Sequence, residues 1–173
     1  MELAPKNGKP YQPSGGPALN RDPGSCEGMA AKRSAHAVWD GDLPHGHGTV
    51  QGTSGALAGV PVSWASRTEA PGGKSSPEEL LAAAEASCFS MALAAGLGRA
   101  QKPPKRLEVT ASATFDKVGD GWKVTTMEIE VVGTVPSISP AEFEAAAKAA
   151  GEGCPISGAL KGNVAVSVRA RLA

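Results

Sequence analysis

The sequence predicts an α+β domain in which a largely antiparallel β-sheet is wrapped around a buried central helix, and three observations support this. Segments of strict apolar alternation recur along the chain, two segments share one helix-start signal, and the run from Leu80 to Gly98 contains a single charge, Glu85. Alternation at period two gives a strand one buried face, whereas a helix that is apolar on nearly every side has to lie among other elements.

Taken in order, residues 1–28 are rich in Pro and Gly, show no apolar period, and read as a flexible arm ahead of a single domain spanning 29–173. From Arg33 to Trp39 the β-promoting residues predict a strand. Asp40 to Gly48 holds turn residues, Thr49 to Thr53 resumes a strand, and Gly59 to Arg67 reads as a third.

The first helix is announced by Ser76-Pro77-Glu78-Glu79. Ser at the N-cap, Pro at the first helical position and Glu79 three residues after the cap predict a start at Pro77 with two amide donors satisfied reciprocally. Leu107 to Val118 then alternates, Gly119-Asp120-Gly121 turns the chain, and Trp122 to Val132 returns as the second arm of a hairpin. Ser139-Pro140-Ala141-Glu142 repeats the start signal and predicts a second helix from Pro140, with Glu142, Glu144 and Lys148 on its wet face. Asn163 to Leu172 alternates again as a last strand.

Composition narrows the function classes. The chain has 173 residues, 41% hydrophobic and 4% aromatic, which suits one core of aliphatic side chains. Lys plus Arg number 17, as do Asp plus Glu, so no summed field draws the protein to nucleic acid or to an anionic membrane. The N-terminus has no basic region followed by an apolar one, and the Leu80 to Gly98 run is mostly Ala around Glu85, so a cytoplasmic location and no membrane partner are expected.

Three cysteines are too few for a secreted disulfide scaffold. Cys26 lies in the arm, without neighbours to lower its pKa. Cys88 sits in the apolar helical run, where a thiol also serves as a small core-filling hydrophobe. Cys154 is different: in Gly153-Cys154-Pro155-Ile156-Ser157 it occupies the N-cap of a short helix, near unpaired amides and the positive end of the dipole, which favours a thiolate.

The two are too distant in sequence for a C-x-x-C pair, and suit a nucleophile and its resolving partner if the fold brings them together. His36, His45 and His47 show no metal-ligand spacing, and His45-Gly46-His47 reads as a solvated turn, so no metal is expected.

These residues carry a resemblance. The segment from Ser76-Pro77-Glu78-Glu79-Leu80-Leu81 through Glu85-Ala86-Ser87-Cys88-Phe89-Ser90-Met91, with Gly153-Cys154-Pro155-Ile156-Ser157 downstream, resembles the OsmC/Ohr family of osmotically inducible and organic hydroperoxide resistance proteins, and more closely its OsmC branch. The similarity runs from about Lys32 to Leu172 and includes Ala37-Val38-Trp39-Asp40-Gly41-Asp42 and Gly48-Thr49-Val50. It departs at Glu85, where the OsmC branch is expected to show histidine.

The resemblance implies an intertwined homodimer with active sites near the subunit interface. It further implies reduction of organic hydroperoxides through a sulfenic acid at Cys88 and a Cys88–Cys154 disulfide, regenerated by a dithiol reductant, with the lipoyl type one candidate, and no cofactor. An Arg that stabilises the thiolate and a Glu that holds the Arg are implied as well. By position the Glu is Glu78 and the Arg is Arg67, with Arg33 a distant second. Trp64, Phe89 and Met91 are the expected lining of a pocket for apolar peroxides.

Geometry adds a condition. In one straight helix Glu78 and Cys88 would lie ~15 Å apart along the axis, so a break between about Ala83 and Ser87 is expected; failing that, Arg67 has to bridge the gap by its length. Two other functions use the same residues: a non-catalytic dimeric module that binds a small apolar ligand, and a general thiol-disulfide oxidoreductase.

Overall fold

Where the sequence alternates, the chain extends. A computed structural model of the chain describes residues 30–173; the proposed arm at 1–28 and Cys26 lie outside the described residues. Strands β1 (Ala35–Asp40), β2 (His47–Gly52) and β3 (Val60–Val62) form one antiparallel sheet. A helical turn α1 (Ala65–Thr68) and a long helix α2 (Pro77–Arg99) follow. Then come β4 (Arg106–Val118), β5 (Gly121–Thr134), helices α3 (Pro140–Gly153) and α4 (Pro155–Leu160), and β6 (Ala165–Leu172). Ser34–Ala173 forms one compact unit.

The second sheet has the order β4-β5-β6. Strands β4 and β5 are the expected hairpin, turning at Gly119 in the left-handed region (φ 62°) that a side chain would strain. Strand β6 runs parallel to β5, with Thr126 opposite Ala165 and Gly133 opposite Leu172. The reason is connectivity: α3 and α4 carry the chain back along the sheet before β6 begins, and a crossover of this kind delivers a parallel neighbour.

Both start signals begin helices at the predicted prolines, but they are not chemically equal. At α3 the box closes fully: Ser139 Oγ accepts the Glu142 amide and the Glu142 carboxylate accepts the Ser139 amide at 2.8 Å. At α2 only half forms, because Ser76 Oγ accepts the Glu79 amide at 3.1 Å while the Glu79 carboxylate accepts from the Ser75 hydroxyl instead.

The third predicted strand is cut short. Strand β3 ends at Val62 because Ser63 and Ser66 exchange side-chain hydrogen bonds, each hydroxyl accepting the other's amide at 3.1 and 3.2 Å, which closes a local turn and takes the segment out of the ladder. Arg67 therefore stands on α1 rather than at a strand end.

The core joins three elements: Phe89, Leu93 and Leu97 of α2, Met127, Ile129 and Val131 of β5, and Phe143, Ala147 and Ala150 of α3. Gly133 is required there, since a Cβ at this position would run into the Phe143 ring. Helix α2 buries one stripe, from Glu78 and Ala82 through Glu85, Phe89, Leu93 and Leu97. The opposite stripe, Ala83, Ser87, Met91 and Ala95, is exposed, so within one protomer the helix is not covered on most sides as its composition predicts. Every residue of β1 is exposed as well.

Candidate active site

The site is built where α4 meets the middle of α2. Pro155 starts α4 and leaves Cys154 as its N-cap, extended at φ −71° and ψ 123°, so the chain bends sharply and turns the Cys154 side chain toward α2. The sulfurs of Cys154 and Cys88 stand 2.9 Å apart in hydrogen-bond contact, both as free thiols. About 1 Å of movement separates them from a ~2.05 Å disulfide bond. Cys154 is 1% exposed and Cys88 partly open.

Helix α2 is continuous from Pro77 to Arg99, so the expected break between Ala83 and Ser87 is absent and Cys88 lies mid-helix. The physical reason is local: Ala82 to Ala86 are strong helix formers, and the segment has no Pro, Gly or inserted group to interrupt the ladder. A lowering influence on Cys88 comes from α4, whose Ile156 backbone amide favours the thiolate. Cys154 itself makes no side-chain cap.

The electrostatics within the chain favour the thiol. Burial pushes Cys88 above its ordinary 9.0, and the hydrogen bond with Cys154 adds to this. The Ile156 amide pulls down, and the charges of Cys154 and Glu85 push up again. No guanidinium is among these influences.

A cavity of about 550 Å³ opens beside Cys88, lined by Met91, Ala92, Ala95, Ala146 and Ala150 among others. Met91 is 67% exposed at its edge. Phe89, expected to line the pocket, is instead fully buried in the core: it is one residue beyond Cys88, and the ~100° step of an α-helix turns it onto the opposite flank. A larger cavity of about 780 Å³, between α3, α4 and β6, contains neither sulfur.

The second assembly lies toward the N-terminus of α2. Arg67 grips Glu78 with both arms of its fork, Nη2 donating to Oε1 at 2.6 Å and Nε to Oε2 at 3.2 Å. The guanidinium lies 4.2 Å from the centre of the Phe115 ring and 5.5 Å from that of Trp64. Trp122 stacks on Phe115 at 4.9 Å and meets Trp64 edge-on. A cavity of about 300 Å³ opens here, lined by Arg67, Glu78, Ala82, Ala113 and Phe115 among others.

Arg67 and Glu78 are thus brought together, as are Cys88 and Cys154, but the two pairs occupy different stretches of one straight helix. Trp64 belongs to the arginine assembly and not to the cavity beside Cys88. Arg33 donates to the Lys32 carbonyl at an exposed position. His45 pairs with Asp42 at 3.1 Å in its turn. Among the described residues no cluster of three His, Cys, Asp or Glu side chains is placed to hold a metal.

Phe115 and Trp122 are members that sequence reasoning treated only as strand residues; aromatics at the hairpin's turn end were the available signal. Glu85 was noted in the sequence only as the lone charge of its run and a departure from the OsmC branch, and Ser157 only as part of the Cys154 segment. Glu85 is fully buried, accepts the Ser157 hydroxyl at 2.5 Å through Oε1, and has no hydrogen-bond partner at Oε2 among the described residues.

The chain is similar to several known proteins. The family described as OsmC-like protein matches residues 70–169, a span that holds both cysteines, Glu78 and Glu85. The peroxiredoxin OsmC of Escherichia coli is 38% identical over 136 residues, covering 79% of this chain and 94% of its own. The organic hydroperoxide resistance protein OhrA of Bacillus subtilis is 35% identical over 95 residues, covering 53% of this chain and 64% of its own.

Among solved structures, the organic hydroperoxide resistance protein OsmC of Legionella pneumophila superposes with a TM-score of 0.64 at 24% identity, covering 82% of this chain and 99% of that one. OhrB of Bacillus subtilis gives the same TM-score, 0.64, at 24% identity, covering 80% and 98%. With the family match spanning more than half of its length, the chain belongs to the OsmC-like protein family.

Proposed function

We propose that the chain is a thiol-dependent peroxide reductase acting on organic hydroperoxides, and the observation that carries this is the pair of free sulfurs 2.9 Å apart, one partly open and one buried. The accessible Cys88 is the nucleophile. Its thiolate attacks the distal oxygen of the hydroperoxide, the O–O bond breaks, the alcohol leaves with a proton, and Cys88 becomes a sulfenic acid. The Cys154 thiol then condenses with it, forming the S–S bond and releasing the sulfenic oxygen as water. An external dithiol donates two electrons and two protons, becomes a disulfide, and returns both cysteines to thiols. The names of the relatives, peroxiredoxin and organic hydroperoxide resistance protein, support this reading.

The apolar cavity edged by Met91 and alanines suits alkyl hydroperoxides. The cation is supplied across a homodimer: Arg67 of a second copy, held by that copy's Glu78, approaches Cys88 and makes its thiolate. Three features support this arrangement. Within one protomer Glu78 and Cys88 are ~15 Å apart along a straight helix. Cys88 is held above 9.0 where no guanidinium acts on it. The helix stripe Ala83, Ser87, Met91 and Ala95 is exposed at the surface, as is Trp39 of β1.

Anaerobic stopped-flow with reduced protein tests the proposal. Rapid stoichiometric loss of one thiol with cumene hydroperoxide, much faster than with hydrogen peroxide, is the expected result. Slow reaction with both peroxides overturns it and leaves a ligand-binding module, or a thiol-disulfide oxidoreductase if a disulfide substrate reacts fast.

A further inference from the structure

Glu85 is the buried ionisable group that the proposed cycle does not use. A carboxyl is among the costliest side chains to bury, and an unpaired oxygen adds to that cost, so packing alone does not account for it. Its position is informative. Glu85 lies three residues before Cys88 on α2, and Ser157 lies three residues after Cys154 on α4. The carboxyl–hydroxyl contact at 2.5 Å and the sulfur–sulfur contact at 2.9 Å are therefore neighbouring rungs across one helix seam.

The second rung matters because α4 is short. It spans only Pro155–Leu160, its N-cap side chain caps none of the helix amides, and thiol-to-thiol contact is too weak to fix a six-residue helix by itself. The hydroxyl of Ser157, donated to a fully buried acceptor, is by contrast a directional and short link.

We infer that Glu85 is a positioning residue: through Ser157 it latches α4 to α2, holds Cys154 at bonding distance from Cys88, and so sets how readily the two thiols become a disulfide. This rests on reading Cys88 and Cys154 as a redox couple, and it concerns the closing of the disulfide, not the attack on peroxide. The latch works against the attack step, since the Glu85 charge opposes a thiolate at Cys88.

Equilibration of the full chain with glutathione and glutathione disulfide tests it without any peroxide. Two protein thiols lose two electrons and two protons to one glutathione disulfide, giving the Cys88–Cys154 bond and two glutathione thiols, and acid quenching followed by mass analysis counts each form. Ser157→Ala and Glu85→Leu are each expected to lower the equilibrium constant for the disulfide about tenfold, the size of effect one hydrogen bond to a charged group gives. Ser157→Thr and Glu85→Gln, which keep the donor and an acceptor, are expected to stay within about twofold, and Glu85→Leu combined with Ser157→Ala to be no worse than either alone.

A Ser157→Ala equilibrium within twofold of the parent overturns the inference, as do losses that add in the double variant. If Glu85→Leu does not fold, the Ser157→Ala and Ser157→Thr pair decides by itself. A parent that forms the disulfide with this dependence but ignores peroxides removes the proposed activity and leaves the latch; a parent that reduces peroxides with no such dependence removes only the latch.

Discussion

Along α2 a finished polar assembly and an unfinished one lie about three turns apart. The Arg67–Glu78 pair is satisfied: two hydrogen bonds join the fork to the carboxylate, and aromatic rings cover it. The sulfur seam is not, with two free thiols, a Cys88 whose pKa is pushed up, and a carboxyl oxygen that has no hydrogen-bond partner among the described residues. A guanidinium held by two hydrogen bonds and packed on rings has its position set by its own neighbours. Two thiols poised at less than van der Waals distance are a site that has yet to react. Each assembly has what the other lacks, and a second copy offers a way to join them.

The largest effect should come from the seam itself. Cys88→Ser is expected to abolish hydroperoxide turnover with a dithiol donor, while Cys154→Ser completes one turnover and then accumulates sulfinic acid at Cys88, seen by intact mass. Equal partial losses in both variants would contradict the division between an open nucleophile and a buried resolving thiol.

Breaking the other assembly should act on the seam at a distance. Arg67→Ala is expected to slow oxidation of Cys88 by about 10²-fold, as loss of one charge-stabilising group does. Absorbance titration of its thiolate should move upward. The sign follows from the raised value within the chain: without a cation the folded protein holds Cys88 protonated past 9.0, so the thiolate appears only as pH rises beyond it. Arg67→Lys should not restore activity, because an ammonium lacks the fork that Glu78 grips. Dilution that separates the proposed homodimer should move the titration the same way, and a titration indifferent to both changes would leave the two assemblies unconnected.

Smaller effects separate the cavity from the core. Met91→Gln, at the cavity edge, is expected to raise KM for cumene hydroperoxide by about tenfold or less, the scale of one small apolar change in a pocket. Phe89→Ala should instead show in denaturant melts, losing ~3–5 kcal/mol of stability as a fully buried aromatic does.

The smallest effect lies away from both assemblies, at Glu142. Lys102 at 2.6 Å and the amide and hydroxyl of Ser139 hold its carboxyl down at about 2, from an ordinary 4.5. A group depressed on folding contributes stability in full above its unfolded value and loses it as pH falls toward the folded one. Glu142→Gln should therefore melt slightly lower than the parent above pH 4.5, with the difference fading between 4.5 and 2.

How much of this was legible in the sequence depends on how far apart the interacting groups are. The hairpin of β4 and β5, the starts of α2 and α3, and Cys154 as an N-cap follow from alternation, from Ser-Pro-x-Glu and from Cys-Pro, signals that act within a few residues. Four features went beyond those signals. Strand β6 is parallel because α3 and α4 bring the chain back across the sheet. Arg67 sits on a helical turn because two serines close it. Phe89 faces the core because α2 runs unbroken through Cys88. Glu85 meets Ser157, as Cys88 meets Cys154, because α4 folds back onto α2. Local rules fix what each segment becomes, since propensity, capping and periodicity are properties of neighbours along the chain. Which thiol meets which, and which carboxyl stands between them, depends on packing between remote segments, and that is determined only once the core has formed.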